Sequence, residues 1–429
     1  MNIIERGRVF LQSLYALANR SVWDWKRCPR CGRTDTIKWG TYDRHPWFFG
    51  GRKTIVVQRH RCHGCRRTYS EGSALLIRGS WYAREVHRCA IDHWQHLGTS
   101  LRRTAEVLRS WMGRQERYLL WRPLDPVPVE AEQCHLAAST VHRWLDGAGR
   151  VAQESVVGQL EGIASTGTVG TDGLWARLRG GAKRVVLLVV DSVHGVIWPP
   201  VVVEGEEGEA PWQQVFERAR QAGLKVEQLR GVTSDRAKGL LAYLRRGLSW
   251  VQHQSCIWHM WRSLGCELAS AAAQAGEGLA EEAAKQVRER VRQELVALVR
   301  GVIDAQSYEA AEQALATLKG HPQGARIGHI LNGQLDHLLA HLVAYYHGLK
   351  RVAPEWCWRD FRLRLSRGRI HGSDQRLERA ALVWAIYYNF TPTQWRSERK
   401  RHYRHPGQSP LEVAGVPPGE ISYLDALGV

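Results

Sequence analysis

Four cysteines in two Cys-x-x-Cys pairs, Cys28/Cys31 and Cys62/Cys65, restrict the front of this chain more than any other feature. Each pair presents two thiolates from one tight turn, and four thiolates close a tetrahedral structural Zn²⁺ site with no open position. Gly32 and Gly64 suit such turns. Between the pairs, residues 36–41 and 53–60 read as two strands, so a zinc ribbon is expected. The chain has nine cysteines, an odd number, and the paired ones read as metal ligands before disulfides.

Charge points to the partner. The formal net charge is +18, and residues 1–150 hold 26 Lys/Arg against 13 Asp/Glu, so the front third carries most of it. A basic front joined to a nearly balanced rear suits a polyanion, with a solvated basic surface as the plainer reading. Arg27, Arg30, Arg33, Arg59, Arg61, Arg66 and Arg67 surround the ribbon, interleaved with Trp23, Trp25, Trp39, Trp47 and Tyr69. Arginines clamp phosphates bidentately, which makes Arg30, Arg66 and Arg67 DNA-binding candidates. Most of these tryptophans are expected to pack a small core. No apolar run is long enough to span a bilayer and no signal-peptide core is legible, so a cytoplasmic, nucleoid-associated protein is expected, with no membrane partner.

Behind the ribbon, Val86, Ala90, Ile91, Trp94 and Leu97 follow helical spacing up to Gly98, and Leu101, Ala105, Leu108 and Met112 repeat the period. A proline-bearing connector, residues 121–134, follows. Ser139 or Thr140 then caps a third helix with Val141 and Leu145 on one face and His142 and Arg143 on the other. The arrangement resembles a helix-turn-helix whose last helix offers His142 and Arg143 to DNA; an ordinary helical linker is the alternative.

Residues 168–178, 183–191 and 196–204 are three consecutive strand-like runs joined by Gly180-Gly181 and His194-Gly195 turns. A helix at 211–222, a strand ending at Asp235, a helix at 236–248 and a short strand at 250–254 come next. That is the chain order of a ribonuclease-H-like fold. It puts Asp172 on the first strand and Asp235 at the end of the fourth, both read as strand-end acids. A third acid, Glu378, comes much later, with Asp374 on the same helical face. Three such acids suit two-metal phosphodiester chemistry. Asp191 is read as a hairpin residue. Residues 271–299, 308–318 and 327–347 read as an all-helical insertion. Residues 360–404 hold 11 Lys/Arg against 4 Asp/Glu beside Glu378, a surface suited to DNA backbone.

The expected class is therefore multidomain α/β: a zinc ribbon (1–80), a helix-turn-helix region (81–150), and a ribonuclease-H-like catalytic core. The core comes in two parts (163–262 and 366–429), interrupted by an all-helical insertion (263–365).

The order of ribbon, helix-turn-helix, Thr171-Asp172-Gly173, Ser234-Asp235, Cys256-x-x-His259 and Leu377-Glu378-Arg379 resembles DDE-type insertion-sequence transposases, especially the Mutator-like group. The ending from His405 to Glu412 is similar to that family's C-terminal element. The resemblance implies that Asp172 bridges two Mg²⁺ or Mn²⁺ ions while Asp235 binds one and Glu378 the other. It implies that Cys256 and His259 position the active site or contact DNA. It further implies cleavage at the element's terminal inverted repeats, strand transfer into target DNA, and a dimer or larger assembly on DNA. Two other readings remain open: a zinc-ribbon DNA-binding regulator with a non-catalytic rear domain, and a DNA nuclease without strand transfer.

Overall fold

The computed structural model describes residues 26–49, 51–71, 75–119, 134–155, 160–343, 349–352, 354, 357–358, 361–362, 365, 372–392, 407–416 and 422–429. Trp23, Trp25, most of the proline connector and the basic stretch 393–406 lie outside the described residues.

The front unit is built on strands β1 (Thr36–Arg44), β2 (Trp47–Phe48), β3 (Gly51–Arg52), β4 (Ile55–Cys62) and β5 (Thr68–Ser70). β4 is the centre of an antiparallel sheet between β1 and β5, and β2 and β3 form a separate pair. Among the described residues its own apolar cluster is Phe48, Val57, Leu76 and Ala83, with Ile55 packed against it. Trp47 is buried, as core packing requires, but Trp39 stays 46% exposed beneath Arg61, whose guanidinium carbon is 4.5 Å from the ring centroid.

Three helices follow: α1 (Arg84–Leu97), α2 (Leu101–Leu119) and α3 (Ala138–Glu154). Val86, Ala90, Ile91 and Trp94 of α1, and Leu101, Ala105, Leu108 and Met112 of α2, are buried as their spacing predicts. Leu97 was expected inward and is exposed, because Gly98 takes a left-handed φ of 56° and turns the chain there. Ser100 Oγ accepts the Arg103 amide at 3.2 Å and caps α2. α3 starts earlier than expected, with Ala137 at its N-cap and no side-chain cap.

The rear unit holds a five-stranded sheet of β6 (Thr168–Arg177), β7 (Lys183–Asp191), β8 (Val201–Glu204), β9 (Gly231–Ser234) and β10 (Gln252–Ser255). Their spatial order is β10-β9-β6-β7-β8. β6, β7 and β8 pair antiparallel, while β9 runs parallel to both β6 and β10. The third strand begins at Val201 instead of at 196, since Pro199 and Pro200 supply no ladder donors. Asp191 is a hairpin residue as expected: it is 1% exposed and accepts the Val193 and His194 amides, each at 2.9 Å. α4 (Glu209–Gln221) and α5 (Lys238–Gly247) connect β8 to β9 and β9 to β10.

From β10 the chain enters α6 (Ile257–Ala275), α7 (Glu281–Ile303), α8 (Tyr308–Gly320), α9 (Ala325–Asn332) and α10 (Leu335–Leu339). These pack around a separate apolar cluster that includes Leu264, Leu268, Leu295, Val299, Leu318 and Leu331. The expected long helix at 271–299 is two helices, divided at Gly276 and Gly278. α6 runs unbroken through the expected 262/263 boundary, so the helical block is rooted in the sheet. The returning segment is pressed on the strands: a Cβ on Gly170 would lie 2.7 Å from Pro354 Cδ, and one on Gly231 2.7 Å from Leu349 Cδ1. α11 (Asp374–Phe390) then packs on β7, β8 and α3, followed by α12 (Pro410–Val413) and α13 (Tyr423–Ala426). Asn389 ties α11 to the sheet edge, accepting the Ile197 amide at 2.8 Å and donating to the Ile197 carbonyl at 2.9 Å. Among the described residues no helix is long and apolar enough to cross a membrane.

Candidate active site

Parallel pairing of β6 with β9 sets the first two functional residues side by side. Gly170 pairs with Thr233, so two residues on, Asp172 comes level with Asp235. Asp235 stands just past the end of β9, as expected. Asp172 does not end its strand: β6 continues to Arg177, because the alternation of buried residues persists through Leu174 and Ala176. Asp172 is 4% exposed, and its Oδ1 accepts the Gly173 amide at 3.0 Å. Asp235 is exposed, and its Oδ1 accepts the Ala237 amide at 3.0 Å. In that turn, Arg236, directly after Asp235, holds a left-handed φ of 70°, a conformation disfavoured for a residue with a Cβ.

His259 reaches the same point from the helix side. Cys256 is the buried N-cap of α6, and its amide donates to the Ser234 carbonyl at 2.8 Å. That bond fixes the start of α6 beside the end of β9. One ring nitrogen of His259 and one oxygen each of Asp172 and Asp235 lie within 4.8 Å of one another. Cys256 therefore positions the helix, and His259 joins the aspartates. Trp258, 42% exposed, stands edge-on to His259 with ring centroids 4.8 Å apart, and the Arg262 guanidinium carbon lies over the Trp258 ring, 5.5 Å from its centroid. Behind β9, Ser234 Oγ is hydrogen-bonded with His253 Nε2 at 2.8 Å, and His253 Nδ1 lies 3.2 Å from His337 Nδ1 in α10. Burial, with His337 and Arg236 adding to it, holds His253 down at about 3, so the imidazole is neutral.

Glu207 is a residue the sequence reading missed. It lies in the bend before α4, and its carboxylate is packed against Gly173. Burial and the neighbouring Asp235 charge push Glu207 up to about 7. The only signal in the sequence is Glu204-Gly-Glu-Glu-Gly-Glu209, an acidic loop indistinguishable from a solvated turn.

Glu378, expected to complete the acid set, is not among the residues brought together at this point. Its Oε1 accepts from Arg218 of α4 and, at 3.4 Å, from Gln153 of α3. Asp374, the alternative third acid, is held by Arg184 of β7 at 2.6 Å. Both acids serve to dock α11. The physical reason is the placement of α11 over β7 and β8, on the far side of β6 from Asp235.

In the front unit the sulfurs of Cys28, Cys31, Cys62 and Cys65 all lie within 4.8 Å of one another. The Cys28–Cys65 and Cys31–Cys62 separations are both 3.5 Å. Four sulfurs at this spacing fit Zn²⁺, whose Zn–S bonds of ~2.3 Å put tetrahedral sulfurs ~3.8 Å apart. Burial works against a Cys28 thiolate, but hydrogen bonds from the backbone at Arg30 and Cys31 outweigh it and bring the thiol to about 6. Arg30, Arg66 and Arg67 are exposed around this cluster. On α3, Arg143 is exposed and donates to Thr140 Oγ1 at 3.1 Å, whereas His142 is half-buried in a crevice with Asp146 and Arg376. α3 cannot present its whole surface to DNA, because it packs closely on α11. A Cβ on Gly149 would lie 2.4 Å from Arg379 Cβ, and Arg379 Nη1 donates to Asp146 at 3.0 Å.

Residues 199–352 match the family model described as transposase, Mutator family. That segment is similar to the transposases of the Mutator family. The matched segment contains Glu207, Asp235, Cys256, His259 and the helical block, with Asp172 before it and Glu378 after it. The match supports a transposase role and implies DNA as the partner. No curated protein matches the chain.

Proposed function

We propose that this chain is a DNA transposase of the DDE type that cleaves the ends of its element and joins them to target DNA. The single observation carrying the reading is the convergence of Asp172, Asp235 and His259 from three separate elements around one point. The sheet order β10-β9-β6-β7-β8, with an acid on its central strand and another at the end of the parallel neighbour, supports a ribonuclease-H-like core.

The donor set fits a divalent cation. Carboxylate oxygens suit Mg²⁺ or Mn²⁺, and an imidazole beside them tips the preference toward Mn²⁺. When bound, such ions supply Lewis-acid activation of the attacking oxygen and stabilise the leaving oxygen of an in-line displacement. Asp172, on a central strand, and Asp235, open at a turn, would hold them. His259 sits at the root of the helical block and links that block's position to the site. Arg30, Arg66, Arg67 and Arg143 clamp phosphates of the element's ends, and the four-cysteine cluster holds a structural Zn²⁺ that keeps the ribbon in shape. Joining two ends calls for two such sites, so a dimer or larger assembly on nucleoid DNA belongs to the same reading.

The test incubates the protein and Mn²⁺ or Mg²⁺ with labelled DNA carrying the element's terminal repeats and a supercoiled target plasmid. Joined products, absent in Asp172→Asn, are expected. Hydrolysis without joining leaves a nuclease, and metal-independent binding alone overturns the enzyme reading.

A further inference from the structure

One face of the front sheet is open and sets aromatic rings among arginines. Residues paired across adjacent strands share a face, so Ile37 of β1, Arg61 of β4 and Thr68 of β5 stand together. Arg59 and Val57 follow on that face of β4, paired with Ser70 and Tyr42. Tyr42 Oη lies 3.1 Å from Ser70 Oγ, which agrees with that placement. Between Ile37 and Tyr42 the ladder slips: Trp39 and Gly40 together stand opposite Arg59, and Gly40 takes a φ of 93°. This bulge re-aims Trp39, whose ring lies under the Arg61 guanidinium. A small unit that buries Trp47 thus leaves Ile37, Trp39 and Tyr42, all from one strand, 41%, 46% and 38% exposed.

The same face runs into an open cavity of about 1030 Å³. Tyr42, Val57, Thr68 and Ser70 line it from the sheet. The segment leading to α1 adds Trp81, 71% exposed, with Arg78 and Arg84. Arg44 donates to the Ser80 carbonyl and ties that segment to β1. Asp43 and Glu71 are the acids on the lining, and Arg44, Arg78 and Arg84 outnumber them.

Arginines alone suit any phosphate backbone, paired or unpaired. The rings discriminate. Neighbouring bases cover both faces of each base in a duplex, so an indole or phenol meets a base plane only where the strand is unpaired. A guanidinium lying on an indole extends the same stacking surface. The width of the face points the same way, since the major groove admits a two-stranded ribbon and this sheet has three strands.

We propose that this face, from Trp39 across Tyr42 to Trp81, binds single-stranded DNA by stacking unpaired bases, with Arg59, Arg61 and Arg78 on the phosphates. This rests on the reading of DNA as the substrate and adds an unpaired strand to it. The face then does work separate from the duplex contacts of Arg30, Arg66 and Arg67.

The experiment is fluorescence anisotropy of the full-length, zinc-loaded protein with labelled oligo(dT) and with a duplex of equal length, without divalent cation. Trp39→Ala and Trp81→Ala are each expected to weaken oligo(dT) binding about 10-fold or more and to leave duplex binding as in the parent. Trp39→Phe, which keeps a ring, is expected to restore most of the affinity. Undiminished oligo(dT) binding in both alanine variants overturns the proposal, as does an equal loss on single strand and duplex. A dimer that dissociates in Trp39→Ala, with oligo(dT) binding unchanged, gives the face to a second copy and overturns it too. A parent protein that binds duplex but not oligo(dT) overturns this proposal and leaves the transposase reading standing. One that binds neither overturns both.

Discussion

Arg218 and Glu378, separated by 160 residues in sequence, form an ion pair that fastens α4 to α11. Their side chains are only 21% and 13% exposed, so neither charge is well solvated without the other. Glu378→Gln should therefore cost stability, roughly 1–3 kcal/mol in urea unfolding, with Arg218→Ala similar and the double variant less than additive. An Mn²⁺-binding defect at undiminished stability would instead return Glu378 to the metal site.

Loss of either strand-borne acid should abolish metal-dependent cleavage while leaving DNA binding intact. Asp172→Asn and Asp235→Asn are expected to lower cleavage by more than about 100-fold, since losing a direct ligand exceeds the 10–100-fold typical of outer-shell partners. Parallel mobility-shift and cleavage assays on one labelled substrate check this. Equal loss of binding and cleavage would make these acids structural.

His259→Ala should weaken Mn²⁺ more than Mg²⁺, because imidazole favours the softer ion. Cleavage measured against each metal concentration reads the change as a narrowed Mn²⁺/Mg²⁺ ratio. An unchanged ratio would remove His259 from the ligand set.

Elemental analysis should find about one tightly held Zn²⁺ per chain, lost in Cys28→Ser or after chelation. The ribbon's apolar cluster is small, so removing the metal should unfold it and weaken DNA binding. The Mn²⁺ site, built on a different core, should survive in Cys28→Ser. Failure of both sites together would show that the front and rear units fold as one.

Acid should destabilise the fold through two buried imidazoles, His253 and His87, each held at about 3 by burial as the largest cause. An unfolded histidine titrates near ~6.5, so as pH falls the unfolded chain takes up these protons first. Their contribution is fully present above about pH 6.5 and is lost as pH falls toward about 3. Each adds up to about 1.4 kcal/mol per pH unit to the slope. Urea midpoints between pH 7 and 4.5 should fall more gently in His253→Gln, which keeps a partner for Ser234 Oγ. An identical slope would sink the assignment.

Much of this architecture is legible locally. The Cys-x-x-Cys spacing announces the four-sulfur cluster, and the helical period of α1 and α2 names their buried faces. The apolar runs ending in charge place β6, β7 and β9 within a residue or two. Cys256-x-x-His259 is visible as a motif, though not the division of labour within it: as an N-cap, Cys256 faces inward and His259, in the first turn, faces the aspartates.

The sequence alone determined most of the elements and the four-cysteine cluster, and it singled out Asp172 and Asp235, because periodicity, turn chemistry and ligand spacing are properties of neighbouring residues. Only the tertiary structure decided which side chains stand beside them and where the later acids lie. Glu378 is locally indistinguishable from a metal ligand until α11 is laid over β7 and β8, where Arg218 takes its charge. Glu207 looks like one acid in a solvated loop until Gly173 and Gly239 let that loop close on β6 and α5. Both outcomes depend on contacts between segments far apart in the chain, where packing of backbone against backbone, and not local pattern, determines which charges meet.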